Sequence, residues 1–208
     1  MKRTLLKDAK LYLILDRQVN SYDQLFEVAQ KAVACGVDIV QLRDKTGSAK
    51  DILDFSRRIL KITRGSVPYI INDRVDLAMV SRSSGVHLGQ NDIPLKSARK
   101  ILGEGPLIGI SCQTFDHAKK AQEEGADYIG FGSVFKTLTK PDRSPMDIRL
   151  LEKVVKNIKI PVFAIGGIDH SNVASLVSSG VKRVAVCRAI SQAEDVSKAV
   201  QRFKAAMA

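Results

Sequence analysis

Eight short apolar runs, at residues 11–15, 38–42, 67–71, 85–88, 107–110, 128–131, 161–165 and 183–186, recur along the chain, nearly all followed by a stretch of helical periodicity. Short continuous apolar runs fit strands buried on both faces, and such strands alternating with amphipathic helices make a parallel sheet covered by helices. In residues 22–34, Leu25, Val28, Ala29, Ala32 and Val33 share one helical face; Ile52, Phe55, Ile59, Leu60 and Ile62 do the same in the next helical stretch. Gly36, Gly125 and Gly180 stand where a helix must stop and the chain turn back to a strand. About eight βα units favour closure. The expected fold is therefore α/β, a single (β/α)8 barrel over residues 1–208, with an open doubly wound sheet as the alternative, since periodicity does not show whether the first and last strands meet.

A chain of 208 residues with 45% hydrophobic content encloses one sizeable core. No Pro/Gly/Ser-rich linker or compositional break divides it. Lys7, Asp8 and Lys10 interrupt the apolar stretch that a signal peptide needs, and no run approaches the length of a membrane span, so a cytoplasmic protein without a membrane partner is expected. Three cysteines at scattered spacings, Cys35, Cys112 and Cys187, fit reduced thiols better than a disulfide framework or a zinc cluster. Lys and Arg outnumber Asp and Glu by 33 to 22, and the net charge of +11 favours encounters with anions. Only 5% of residues are aromatic and no binding module is recognisable, so phosphorylated small molecules are expected rather than nucleic acid. The sequence leaves self-association open.

Polar residues collect just beyond the ends of the apolar runs, which in a barrel form one rim. In Gln41-Leu42-Arg43-Asp44-Lys45, alternation puts Gln41, Arg43 and Lys45 on one side, where two cations beside an amide suit a polyanion; a solvated strand end is the alternative. Asp73, after Asn72, either caps a following helix or serves a site, and Asp92 after the next run has the same two readings. Two carboxylates at neighbouring strand ends suit a hard cation such as Mg2+, with water and phosphate oxygens completing its octahedron. Lys136, Thr137, Thr139 and Lys140 bring hydroxyls and cations to the longest irregular segment, roughly 134–146, with a surface turn as the alternative. Gly166-Gly167 allows backbone N–H groups to approach an anion, and Cys187-Arg188 opens the turn after the last run. His87, His117 and His170 have no Ser, Cys or Asp partner suited to a triad and are read as structural.

Taken in order, Gln41 to Lys45, Ile71-Asn72-Asp73-Arg74-Val75-Asp76-Leu77-Ala78, Gly85-Val86-His87-Leu88-Gly89-Gln90 with Asp92, residues 130–140, and Ala164-Ile165-Gly166-Gly167-Ile168 resemble thiamine phosphate synthase over residues 11–190. The resemblance implies a (β/α)8 transferase that joins hydroxymethylpyrimidine diphosphate to a thiazole phosphate and releases pyrophosphate. It implies that Gln41, Arg43, Lys45, Asn72, Ser111 and Lys140 bind the diphosphate substrate, with Leu42 and Asp44 in the same motif. Asp73 and Asp92 would hold Mg2+. Thr137, Leu138, Thr139, Gly166, Gly167, Cys187 and Arg188 would surround the thiazole phosphate, and Arg43, Lys45, Ser111 and Lys140 would act on the reacting groups. The chain departs from the family pattern at Leu15 (usually Thr), Gln113 (commonly His), Lys136 (usually Pro) and Arg188 (commonly Ser). The alternatives are a thiazole tautomerase on the same barrel and a non-catalytic phosphate- or nucleic-acid-binding regulator.

Overall fold

A computed structural model describes residues 2–137 and 144–208. Eight strands, β1 (Leu11–Asp16), β2 (Ile39–Arg43), β3 (Tyr69–Asn72), β4 (Gly85–Leu88), β5 (Leu107–Cys112), β6 (Tyr128–Phe131), β7 (Val162–Ile165) and β8 (Val184–Val186), pair in chain order, every neighbour parallel. Leu11 lies opposite Val184 and Leu13 opposite Val186, so the first and last strands meet. The sheet is a closed barrel, and the open alternative is excluded.

Helices α2 (Tyr22–Ala34), α3 (Ala49–Thr63), α4 (Val75–Ser81), α5 (Leu95–Leu102), α6 (Phe115–Glu123), α7 (Ile148–Asn157) and α8 (Val173–Ser178) follow successive strands. α9 (Arg188–Ser191) and α10 (Val196–Ala206) follow β8, and α1 (Lys2–Asp8) precedes β1. Local chemistry sets these limits. Ser21 and Gln24 form a reciprocal capping box at the start of α2, and Gly36 (φ 81°) turns the chain out of it. Leu25, Val28, Ala29 and Ala32 are the buried face of that helix, four of the five positions that the periodicity singles out.

Alternation along each strand sorts the core into two layers. On β1, Leu11, Leu13 and Leu15 pack between barrel and helices, whereas Tyr12 and Ile14 point into the barrel. Inside, Tyr12, Ile39, Ile70, Leu107, Tyr128 and Phe163 form a floor closed from below by Leu6 of α1 and Ala9. The Tyr12 and Phe163 rings meet edge to face with centroids 5.4 Å apart, and a Cβ on Gly109 would fall 2.1 Å from the Tyr128 ring, so the floor is filled. Each such buried side chain contributes about 1.5–3 kcal/mol by leaving water. Two residues further along β2 and β3, the next inward side chains, Gln41 and Asn72, are polar. Among the described residues, no helix is long and apolar enough to cross a membrane.

Candidate active site

The end of β2 presents Gln41 and Arg43 to the interior. Arg43 does not stand alone: its Nη1 donates to Asp16 Oδ2 at 2.8 Å and to Gln18 Oε1 at 3.1 Å, and Asp16 is wholly buried. This pair holds the guanidinium in place at the rim. Leu42 and Asp44 face the other way, which corrects the expectation that they meet substrate. Leu42 is packed in the layer between barrel and helices. Asp44 accepts the Tyr22 hydroxyl at 2.6 Å and the backbone N–H groups of Thr46 and Gly47 at 2.9 and 2.7 Å, so it organises the turn into α3. Burial alone would push its carboxyl up, but those bonds outweigh burial and hold it below the ordinary carboxylate value.

Neither rim carboxylate caps a helix. The N-cap of α4 is Arg74 and that of α5 is Pro94, both without a side-chain capping bond. Asp73 has a left-handed backbone (φ 62°), with its N–H donating to the His87 carbonyl at 2.8 Å. Asp92 Oδ2 accepts the Gly89 N–H at 2.7 Å. Lys45 pairs with Asp73. Burial and a hydrogen bond shared with Asp92 push the Asp73 carboxyl up. Burial acts in the same direction on Asp92, but the shared bond, the Gly89 N–H and the charge of Lys45 hold that carboxyl down. Two carboxylates this close favour either a shared proton or a shared cation. Among the described residues, no group of three or more His, Cys, Asp and Glu side chains forms a metal cluster. A pair of carboxylates beside open space fits Mg2+, which takes few protein ligands and completes its shell with water and phosphate.

A chain of buried polar groups runs under the rim. Gln41 Nε2 donates to the Tyr12 hydroxyl at 3.2 Å, and the Tyr12 and Tyr128 hydroxyls are 2.9 Å apart. His87 Nδ1 lies 3.2 Å from the Tyr128 hydroxyl, and its Nε2 lies 2.9 Å from Ser111 Oγ. His87 thus lines the cavity, a position its inward alternation on β4 signals and a structural reading overlooks.

Across the barrel, Gly166 (φ 107°) and Gly167 (φ 64°) follow β7. A Cβ on Gly166 would lie 2.1 Å from Ser133 Oγ, and one on Gly167 would lie 2.3 Å from the Lys136 carbonyl, so only glycine lets the β6 loop lie against this turn. Phe135 N–H donates to the Gly166 carbonyl at 3.0 Å. Thr137, Lys136, Cys187 and Arg188 border the same space. Burial pushes the Cys187 thiol up to about 12, so it is present as the neutral thiol. Leu138, Thr139 and Lys140 lie outside the described residues.

The result is one site with two lobes. A cavity of about 450 Å3 extends from Gln41 and His87 to Gly166, Gly167 and Arg188, and a second of about 420 Å3 holds Lys45, Asp73 and Asp92. Arg43, Asn72 and Ser111 line both. Gln113 and His117 border the second lobe. Of the expected site residues that are described, all but Leu42 and Asp44 line one lobe or both.

The family model for thiamine monophosphate synthase matches residues 11–190. The chain is 40% identical over 197 residues to the thiamine-phosphate synthase of Ruminiclostridium cellulolyticum, covering 94% of each, and 39% identical over 204 residues to that of Shouchella clausii, covering 97% of this chain and 98% of the relative. The solved structure of thiamine phosphate pyrophosphorylase from Pyrococcus furiosus superposes with a TM-score of 0.88 at 33% identity, covering 99% of this chain and 96% of that one. With the rim carboxylates, the anchored arginine and the paired glycines in one barrel mouth, the chain belongs to the thiamine monophosphate synthase family.

Proposed function

We propose that this chain condenses hydroxymethylpyrimidine diphosphate with a thiazole phosphate by dissociative substitution, giving thiamine phosphate and pyrophosphate. The observation that carries this reading is the two-lobed cavity, whose polar and glycine-walled lobes meet at Arg43, Asn72 and Ser111. A reaction that separates a diphosphate from a ring needs these two environments side by side.

In this reading Asp73 and Asp92 hold Mg2+, which when bound would neutralise charge on the departing diphosphate. Arg43, Lys45 and Lys140 add positive charge, and Arg43 is already oriented by Asp16, so little reorganisation is needed when charge develops. Gln41 and Asn72 orient the pyrimidine, and Ser111, common to both lobes, faces the breaking bond. The pyrimidine methylene becomes cationic as pyrophosphate leaves, and the thiazole nitrogen attacks it. Thr137, Thr139, Gly166, Gly167 and the Cys187–Arg188 backbone hold the thiazole phosphate in line, where exclusion of water protects the cation. A tautomerase has no leaving diphosphate, so the carboxylate pair favours the synthase.

The test is thiamine phosphate formation by purified protein, with each substrate and Mg2+ omitted in turn. Product that requires all three supports the reading. No product from folded protein would move a tautomerase or another phosphate-binding role ahead.

A further inference from the structure

The buried chain beneath the cavity has a direction. Gln41 Nε2 can only donate, so the Tyr12 oxygen receives that bond and must place its own proton elsewhere. Among the described residues, the remaining hydrogen-bond partner of the Tyr12 hydroxyl is the Tyr128 hydroxyl. If Tyr12 donates to Tyr128, then Tyr128 donates to His87 Nδ1, which must be bare. The proton of neutral His87 then sits on Nε2 and is donated to Ser111 Oγ. Ser111 is left as an acceptor of that bond with its own hydroxyl proton to give. Every proton in the chain has a partner.

With Gln41 Nε2 facing Tyr12, the opposite direction fails at one atom, and it closes only if the amide turns to offer Oε1 to the Tyr12 hydroxyl. If Ser111 donated to His87 and His87 to Tyr128, then Tyr128 would donate to Tyr12, whose oxygen would accept twice while its own proton pointed at nothing. Tyr12 is buried, and an unpaired buried hydroxyl proton is costly enough to favour the first direction by roughly tenfold or more. A doubly protonated His87 strands the same proton. Burial holds both phenols far above their ordinary range, so each carries the single proton that this argument assigns to it.

We propose that Tyr12, Tyr128 and His87 are positioning residues, forming a one-way hydrogen-bond relay that fixes Gln41 as an acceptor and Ser111 as a donor at the two ends of the bound pyrimidine diphosphate. The identity of the substrate rests on the synthase reading; the direction of the relay does not. With Nε2 turned down to Tyr12, Gln41 offers its Oε1 to the cavity, which suits the exocyclic amine of an aminopyrimidine. Ser111 lines both lobes, and there its hydroxyl proton suits an oxygen of the departing diphosphate. The relay makes these two choices dependent on one another.

Long-range proton–nitrogen correlation NMR of the full-length protein, with the His87 signals assigned by their loss in His87→Gln, reads the tautomer directly. The relay requires Nε2–H with a bare Nδ1 in the parent protein at assay pH. Tyr12→Phe is expected to keep that tautomer while raising the KM for the pyrimidine diphosphate, because the Gln41 amide is then free to turn. Tyr128→Phe is expected to release the tautomer and lower kcat by roughly threefold to tenfold, because Ser111 loses its assigned role. Nδ1–H or imidazolium at His87 in the parent protein overturns the proposal, and so do parental kcat and KM in both Phe variants. If a variant does not fold, the parent tautomer decides alone. If the parent makes no thiamine phosphate, the substrate reading fails and the tautomer still decides the relay.

Discussion

At the scale of single residues, Arg188 is the departure from the family pattern with the clearest structural content. Its Nη1 reaches Gln192 Oε1 at 3.1 Å, while its Nε is buried and has no hydrogen-bond partner among the described residues, beside the glycine turn. A guanidinium donor at that turn suits a phosphate oxygen, and reinforcement of phosphate binding is the expected role. Arg188→Ser is therefore expected to raise the KM for thiazole phosphate by roughly tenfold with a smaller change in kcat, the loss of one charge-assisted bond; an unchanged KM in steady-state kinetics would reject this. Asp92 carries a second residue-level prediction. It serves no helix cap and only one backbone N–H, so Asp92→Ala should cost about 0.5–1.5 kcal/mol of stability yet lower Mg2+-dependent turnover about a hundredfold. Comparing thermal midpoint with turnover checks it, and parental activity would remove Asp92 from the metal site. The two readings of Asp73 and Asp92 were both open in the sequence because a carboxylate before a helix looks the same in either role. The absence of side-chain capping bonds on α4 and α5 removes the capping reading.

At the scale of elements, the eight strands and α2 are legible because burial on both faces writes a continuous apolar run and burial on one face writes a helical stripe. Helix α1 is not, since Leu6 is its one described side chain in the barrel-floor cluster. Leu42 and Asp44 show a different failure. A contiguous motif groups them with the site, although alternation on β2 sends them opposite to Gln41 and Arg43. Asp44 instead supports the β2–α3 turn, with a testable pH consequence. Its carboxyl is held below the ordinary value, so this contribution is present above an unfolded pKa of about 3.9 and is lost as pH falls through the folded value. Tyr22→Phe should therefore destabilise the protein at neutral pH, with the gap from the parent narrowing below about pH 4; chemical melts across that range measure it, and a gap independent of pH would contradict it. The β7 turn makes the sharper steric prediction. Gly167→Ala must place a Cβ against the Lys136 carbonyl at a positive φ, at a cost of at least about 1–2 kcal/mol before the clash is counted. Denaturant titration should register that loss together with a higher KM for thiazole phosphate, since the β6 loop has to move.

At the scale of the molecule, closure was only favoured by the count of repeats, because pairing of the first and last strands is a contact between residues far apart in the chain. The β1–β8 register settles it. Closure divides stability from function along the barrel axis, with a packed floor at one end and the two lobes at the other. Leu6→Ala is expected to lower stability by about 2–5 kcal/mol by opening a cavity in the floor while leaving both substrate KM values unchanged; a raised KM would show that the floor and the mouth are coupled. The same packing governs traffic. Because α1 corks the far end and both lobes lie at the same mouth, sharing Arg43, Asn72 and Ser111 among the described residues, substrates and products are expected to travel through that end, where a product slow to leave is also a stopper for the next turnover.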